Sequence, residues 1–456
     1  MNHPQLTPAF CASNGIILLN VEGKTINFAM VNINDAVLKQ RVKKTYPQYR
    51  CVFLKIEPDA FSLKLSLLYS ETGDDQTDAS TIRENRESII DRVADDAPVV
   101  NLLNSIFLEA VSRRASDIHI ESGPDEAAVR YRIDGILVTV KNISQERSIA
   151  VSARLKILSN LNILENRRPQ DGHIDIRTDT YSLDVRISIL PTIWGESIVL
   201  RLLNRSDIPL DLDSLGFSAA HNGYLQNITE LRSGLVLVTG PTGSGKTTTL
   251  AAILKKMDIN SQKIISIEDP VEYRIPGITQ IQVHEELELT FDTLLRRIFR
   301  QDPDIIMIGE IRDLETAELA IRAAMTGHLV FATLHTNNAV EAVFRLQNMG
   351  LPGYMVASVL RTIIAQRLIR KICPQCKGNG CNHCLKTGFF GRTVIAEFIS
   401  LETALSDMIA QGAVMEELRM YLRKKDQKTL FDDAEEKIKK MITTESEIRR
   451  ELGARQ

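Results

Sequence analysis

The stretch that most constrains this chain is LVLVTGPTGSGKTTTL, Leu235 to Leu250. Five apolar or small residues predict a buried strand, a glycine-rich turn runs from Gly240 to Gly245, and Lys246-Thr247 opens a helix. Placed between strand and helix, the spacing G-x-x-x-x-G-K-[ST] is that of a phosphate-binding loop. Its glycines let successive backbone N–H groups point inward as a nest for phosphate oxygens, and the helix N-terminus adds partial positive charge at the same spot. Gly240, Pro241, Thr242, Gly243, Ser244, Gly245, Lys246, Thr247 and Thr248 are therefore the expected nucleotide-binding residues. Lys246 can reach the β- and γ-phosphates, and the Thr247 hydroxyl can ligate Mg²⁺.

A loop of this kind needs a sheet behind it and acids beside it. Three further apolar runs end in polar residues: KIISIED (Lys263–Asp269), DIIMIGE (Asp304–Glu310) and LVFATLH (Leu329–His335). Helical patterns lie between them, at Thr290–Arg300 and Leu314–Met325. Continuous apolar strands alternating with helices predict a doubly wound parallel sheet in an α/β protein. Ligands bind at the carboxyl ends of such strands, so Glu268, Asp269, Glu310 and His335 should converge on the phosphates. Phosphoryl transfer requires a metal, a group that orients or deprotonates water, and positive charge. Glu310 must hold Mg²⁺ through water or act as base, and Glu268 competes for the base role. The sequence leaves both open. His335 is placed to sense the γ-phosphate, and His328 lies one strand length earlier.

With 456 residues the chain exceeds one core. Residues 1–70 read as a small α/β module, with strands at Gly15–Leu19, Thr25–Val31 and Cys51–Ile56 and helices at Asp35–Tyr46 and Phe61–Tyr69. Cys11 and Cys51 are expected there as small buried hydrophobes. Residues 71–96 carry nine acids against three bases and read as a polar linker with a short helix around Arg86–Val93. Residues 97–205 form a second domain. Its ASDIHIES strand puts Asp117, His119 and Glu121 on one face and Ile118 and Ile120 on the other. The simplest reading of that acidic face is a solvated or interface surface. Asp134-Gly135 signals a hairpin, a helix is expected over Ile149–Leu164, and Arg186 and Arg201 stand on the last strands as ordinary surface charges. A linker at 206–217 leads to the nucleotide-binding domain, 218–456. From Leu401 the pattern is helical and polar, its charge run reading as a solvated face.

CPQCKGNGCNHC supplies Cys373, Cys376, Cys381 and Cys384 as C-x₂-C-x₄-C-x₂-C within residues 371–392. Two such pairs can give a tetrahedral Zn²⁺ four thiolates, a closed and therefore structural site. Four of the six cysteines in one cluster favour a metal in a reducing cytosol over disulfides. No apolar run approaches the roughly eighteen residues that span a bilayer, and no signal peptide is read at the N-terminus. A net charge of −3 gives no basic footprint for nucleic acid.

These motifs resemble those of bacterial secretion ATPases of the type II secretion and type IV pilus assembly family. The matching boxes are GPTGSGKTTT, ISIEDPVEY, RQDPDIIMIGEIRDLETA and MTGHLVFATLHTNNA, and in the second domain ASDIHIE, RRPQDG and DVRIS. The resemblance covers roughly residues 95–450. It implies a RecA-like P-loop core, a preceding PAS-like α/β domain, and a homo-hexamer with ATP bound between subunits and between domains. Arg186 and Arg201 then match arginines that reach the γ-phosphate, while Arg296, Arg300 and Arg312 match interface arginines. Ser197 departs from the family's arginine in its Gly-Glu-Arg triplet, and the N-terminal module is short. The implied activity is ATP hydrolysis driving pilus or pseudopilus assembly. The implied partners are an inner-membrane platform protein and the cytoplasmic part of a membrane adaptor, with the chain cytoplasmic and peripheral to that membrane. The rival readings are a nucleic-acid-translocating hexameric motor and a nucleotide-binding scaffold without turnover.

Overall fold

The computed structural model of the chain describes residues 11, 15–22, 24–33, 35–56, 61, 97–177, 182–204 and 211–453. Two compact units separate, residues 1–101 with 150–168, and residues 102–149 with 169–456. The expected helix at Arg86–Val93, most of that at Phe61–Tyr69, and the linker between residues 71 and 96 lie outside the described residues.

In the first unit β1 (Ile16–Glu22) is antiparallel to β2 (Thr25–Met30), which is parallel to β3 (Arg50–Lys55). A parallel pair needs a crossover, and the helix Ala36–Thr45 supplies it. Asp35 caps that helix, its side chain accepting from the Leu38 N–H at 2.9 Å. Ile16, Ile26, Phe28, Met30, Leu38 and Val42 form the core. Cys11 is buried as expected, whereas Cys51 is only half-buried because it sits beside an exposed strand start.

The second unit holds two sheets. The first is antiparallel, built from β4 (Ala115–Ser122), β5 (Glu126–Ile133), β6 (Ile136–Ser144), β7 (Gln170–Arg177), β8 (Ser182–Thr192) and β9 (Gly195–Asn204). Their spatial order is β6-β5-β4-β9-β8-β7. The β5–β6 turn falls at Asp134-Gly135, both at positive φ (49° and 85°), the geometry a two-residue hairpin demands. Ile118 and Ile120 point inward as the alternation requires. Asp117, on the opposite face, is nonetheless buried, while His119 and Glu121 beside it are half-buried. The predicted helix at Ile149–Leu164 instead spans Gln145–Leu158.

The other sheet has seven strands: β10 (Gly234–Thr239), β11 (Ile264–Glu268), β12 (Thr279–Gln282), β13 (Ile305–Ile308), β14 (Leu329–Leu334), β15 (Leu360–Ile372) and β16 (Phe389–Ser400). The order is β12-β11-β13-β14-β10-β15-β16, parallel throughout except for the β15–β16 pair. Leu235 and Leu237 of β10 enter one apolar layer and Val236 and Val238 the other. Burial on both faces is why these strands read as unbroken apolar runs. β15 escapes that reading because Gln366, Arg367 and Arg370 interrupt its apolar pattern, and β16 because Arg392, Thr393 and Glu397 do. The C-terminal helices span Thr403–Ala410, Met415–Lys424, Leu430–Lys439 and Glu445–Leu452. They are helical as expected but not wholly solvated. Lys437 and Asp433 form a buried pair at 2.8 Å, and Glu447 is buried against Arg370 at 2.6 Å.

Candidate active site

The phosphate loop leaves β10 at its carboxyl end, between β14 and β15, and closes into the helix Lys246–Lys256. Gly240 is required by crowding. A Cβ there would lie 2.5 Å from both the Gln366 carbonyl and the Ser244 hydroxyl. Gly245, at φ +87°, makes the left-handed step that starts the helix. The Lys246 ammonium is buried under the loop and donates to the Gly240 and Pro241 carbonyls at 2.9 and 3.1 Å. Burial, partly offset by Glu310, pushes its pKa down to about 8. The buried Ser244 hydroxyl has no partner, and Gln366 Nε2 fixes the Ser244 carbonyl at 2.8 Å. A backbone cradle with an ammonium beneath it and an unpartnered donor in its wall fits an anionic phosphate chain. Thr248 Oγ1 lies 3.0 Å from the Tyr273 hydroxyl.

The acids arrive from the neighbouring strands. Glu310 follows β13, and the Gly309 before it is held at both its backbone groups: the Gly309 N–H donates to the Ile267 carbonyl at 2.7 Å and the Thr333 hydroxyl donates to the Gly309 carbonyl at 2.6 Å. The Glu310 carboxylate is bound by Arg312 and lies 3.4 Å from His335 Nε2. Burial and the nearby Lys246 charge push the His335 pKa down, leaving a neutral imidazole at pH 7. Glu268, the last residue of β11, is buried and accepts from the Ser266 hydroxyl at 2.7 Å and from Gln280 Nε2 at 2.9 Å. Burial raises its pKa despite those two hydrogen bonds. β12 carries Gln280, so this edge strand, paired with β11, serves to anchor Glu268. His328, by contrast, is at the far end of β14, bonded to the Ala323 carbonyl at 2.9 Å.

Arg312, read from sequence as an interface residue, pairs with Glu310 and lies 3.8 Å from Asp269. Arg296 pairs with Glu315, and Arg300 Nη1 donates to the Arg296 carbonyl at 3.3 Å. Beside the loop opens a cleft of about 520 Å³ lined by Pro241, Thr242, His335, Asn337 and Arg345.

Arg186 and Arg201 stand directly opposite each other on β8 and β9. Burial lowers the Arg186 pKa, and the carboxylates of Asp184, Glu272 and Asp269, the last two following β11, partly offset that effect. Arg201 Nε donates to Asp117 at 3.2 Å while most of its side chain stays exposed. Sequence alone did not reveal Asp117 as a partner. Its signal was present in ASDIHIE, but the strand it pairs with lies some eighty residues on.

The four cysteines meet in the β15–β16 connection. Sγ atoms are 3.9 Å apart for Cys373 and Cys381, and 3.7 Å for Cys376 and Cys384 and for Cys381 and Cys384. Four sulfurs about 2.3 Å from one Zn²⁺ stand about 3.8 Å apart at tetrahedral angles, so the donor set fits that ion and is too open for disulfides. The Gly380 and Cys381 N–H groups each donate to a cysteine sulfur at 3.2 Å, as a thiolate requires. At the edge of this element Phe390 is packed between His383, with ring centroids 4.0 Å apart, and the Arg114 guanidinium, 3.7 Å from its centroid. The Gly391 N–H donates to Asp134 of the β5–β6 turn at 2.9 Å. Among the described residues, His173, Asp175 and Asp184 make a second group with metal-ligand atoms close together, already engaged by a His173–Asp184 hydrogen bond. No helix among the described residues is long and apolar enough to cross a membrane.

Residues 92–450 match the family model described as type II/IV secretion system protein, and residues 3–75 match the MshEN domain. The chain is 41% identical over 414 residues to the type II secretion system protein HxcR of Pseudomonas aeruginosa, covering 87% of this chain and 88% of that protein. It is 38% identical over 411 residues to the type II secretion system ATPase E of Vibrio cholerae, covering 84% and 81%. With the type IV pilus assembly ATPase PilB of Myxococcus xanthus it shares 42% over 378 residues, covering 76% and 67%. Among solved structures, the pilus retraction motor PilT with bound ADP aligns with a TM-score of 0.55 at 28% identity, over 76% of this chain and 95% of that one. The ATPase DotB of Legionella pneumophila shares the fold, with a TM-score of 0.61 at 21% identity, over 76% of this chain and 94% of that one. A phosphate loop at the carboxyl end of an interior strand of a RecA-like sheet, strand-end acids around it and likeness over most of the chain to named secretion and pilus ATPases lead to one assignment: the chain belongs to the type II/IV secretion system protein family of ATPases.

Proposed function

We propose that this protein is a cytoplasmic, hexameric ATPase that turns ATP hydrolysis into motion between its nucleotide-binding domain (218–456) and the domain before it (97–205). That motion drives assembly of a pilus or pseudopilus through an inner-membrane platform protein and a membrane adaptor, which hold the chain at the membrane surface. The observation that carries the reading is the clustering of Lys246, Glu310 and His335 at the carboxyl edge of the parallel strands.

Residues Gly240 to Thr248 bind the triphosphate of the substrate ATP, and Lys246 exchanges its loop carbonyls for phosphate oxygens. Thr247 and Glu310 would hold Mg²⁺, which would supply positive charge to the phosphates. Glu310 and Glu268 are the two carboxylates available to orient or deprotonate water. Glu268 is held fast and has a raised pKa, whereas Glu310 is shared with Arg312 and His335. Arg186 and Arg201 stabilise the transferring phosphoryl group in the manner of arginine fingers. Cys373, Cys376, Cys381 and Cys384 would hold a structural Zn²⁺ that ties off the β15–β16 loop.

The test is steady-state hydrolysis by the full-length chain. Lys246→Ala abolishes turnover, and Glu310→Gln and Glu268→Gln separate the two acids by which retains ATP binding without hydrolysis. Wild-type turnover in Lys246→Ala would refute the reading.

A further inference from the structure

Two arginines directly opposite on neighbouring strands repel each other, and the antiparallel sheet contains such a pair in Arg186 and Arg201. The pair belongs to a row of polar, mostly charged residues running across five strands. In order these are Arg132 on β5, Asp117 on β4, Arg201 on β9, Arg186 on β8 and His173 on β7, each in register with the next. Asp117 is the one anion in this row, and it is only 7% exposed. Its two oxygens are divided. Oδ1 accepts from Arg201 Nε at 3.2 Å, while Oδ2 accepts from the Ser116 hydroxyl at 2.8 Å and lies 3.5 Å from Arg132 Nε. A carboxylate this buried must remain neutralised by a cation.

The geometry points to Asp117 as a positioning residue for Arg201, with Arg132 as the second cation that lets Arg201 turn to the nucleotide. The inference rests on the role given to Arg201 above. Three features support it. Asp117 takes only the Nε of Arg201, which leaves the terminal nitrogens of the guanidinium fork unspent and the side chain 59% exposed. That remaining edge is the one suited to bidentate contact with a phosphate. Arg132 is anchored by its own bond to the Gly135 carbonyl, 3.2 Å from Nη1, so it stays by Asp117 when Arg201 moves. Arg186 is a looser parallel: Asp184, two residues away on the same strand face, acts on it by charge, and that carboxylate is in turn engaged by His173.

The experiment measures kcat and KM for ATP in the full-length chain for the wild type, Asp117→Asn, Asp117→Glu, Arg201→Ala and the Asp117→Asn/Arg201→Ala double variant, with thermal melting alongside. Arg201→Ala lowers kcat about 10- to 100-fold. Asp117→Asn lowers kcat about tenfold, with KM within about twofold, and adds no further loss in the Arg201→Ala background. Asp117→Glu recovers part of the loss. A double variant whose kcat falls by the product of the two single losses would show that Asp117 acts independently of Arg201, and would overturn the inference. So would wild-type kcat in Asp117→Asn. Wild-type kcat in Arg201→Ala refutes the arginine role itself, and the inference with it. If Asp117→Asn does not fold, Arg132→Gln, whose side chain is 37% exposed, replaces it. This variant lowers kcat in the wild-type background and leaves it unchanged beside Arg201→Ala. No loss of kcat from Arg132→Gln in the wild-type background, or an equal further loss in both backgrounds, overturns the inference.

Discussion

Lys246 is the residue whose protonation the site can least spare. In the free protein its ammonium sits under the loop with a pKa of about 8, lowered chiefly by burial. Above that pH the amine is neutral and offers phosphate no charge. The kcat/KM for ATP, which reports groups in the free enzyme, therefore falls as pH rises through about 8. At saturating ATP the bound phosphates raise the lysine's pKa again, so kcat holds to higher pH. A pH profile in which kcat/KM stays level to pH 9.5 would contradict this. Lys246 and the loop around it were legible in the sequence because their chemistry is local, confined to eight residues between a strand and a helix. The partners of the other site residues were not. Asp117 meets Arg201 across eighty-four positions, and Glu268 is anchored by Gln280 from a four-residue strand that has no apolar pattern to announce it.

Among the elements, the β15–β16 hairpin and the helices behind it carry the largest departure from what the sequence suggests. Polar residues inside an apolar run weaken a strand reading, yet here each has a destination. Gln366 fixes the phosphate loop, Arg367 Nη2 donates to the Asn337 carbonyl at 2.9 Å, and Arg370 reaches Glu447 of the last helix. Burial alone would raise the Glu447 pKa. Hydrogen bonds from Arg450 and Arg370 outweigh burial and hold it at about 2. An unfolded glutamate titrates near about 4.3, so this contribution to stability is complete above about pH 4.5 and is lost as pH falls toward 2. Glu447→Gln leaves Arg370 without its anion and Arg450 with Glu451 alone, and costs about 3 kcal/mol, read as a lower urea midpoint at pH 7 that converges on the wild type in strong acid. An unchanged midpoint at pH 7 would count against the pairing. The same hairpin carries the four cysteines. Purified, reduced protein is expected to hold about one zinc per chain, and Cys376→Ser to lower both metal content and melting temperature. Metal analysis finding none in the reduced wild type would remove the zinc from this account.

At the scale of the whole molecule, the α/β class and the order of its parts were readable because strand periodicity and the motif boxes fall in sequence. The antiparallel edge of the seven-stranded sheet and the row of charges on the six-stranded one were not, since both depend on register between distant segments. The structure unites them at Phe390. β15 runs beside the phosphate loop at Gln366 and enters the cysteine element at Cys373, seven residues and so about 23 Å further on. The element's far edge then meets Arg114 and Asp134. Phe390→Ala removes the packing between His383 and Arg114 without touching the loop. Its expected effect is a several-fold change in kcat with ATP affinity unaltered, measured by turnover and by nucleotide binding on the same preparation. Equal turnover in variant and wild type would disprove the connection. If it holds, β15 is a strut: one end senses whether the phosphate cradle is filled, and the other bears on the sheet that carries the arginines. The two halves of the site would then remain in mechanical contact even in the interval when no nucleotide bridges them.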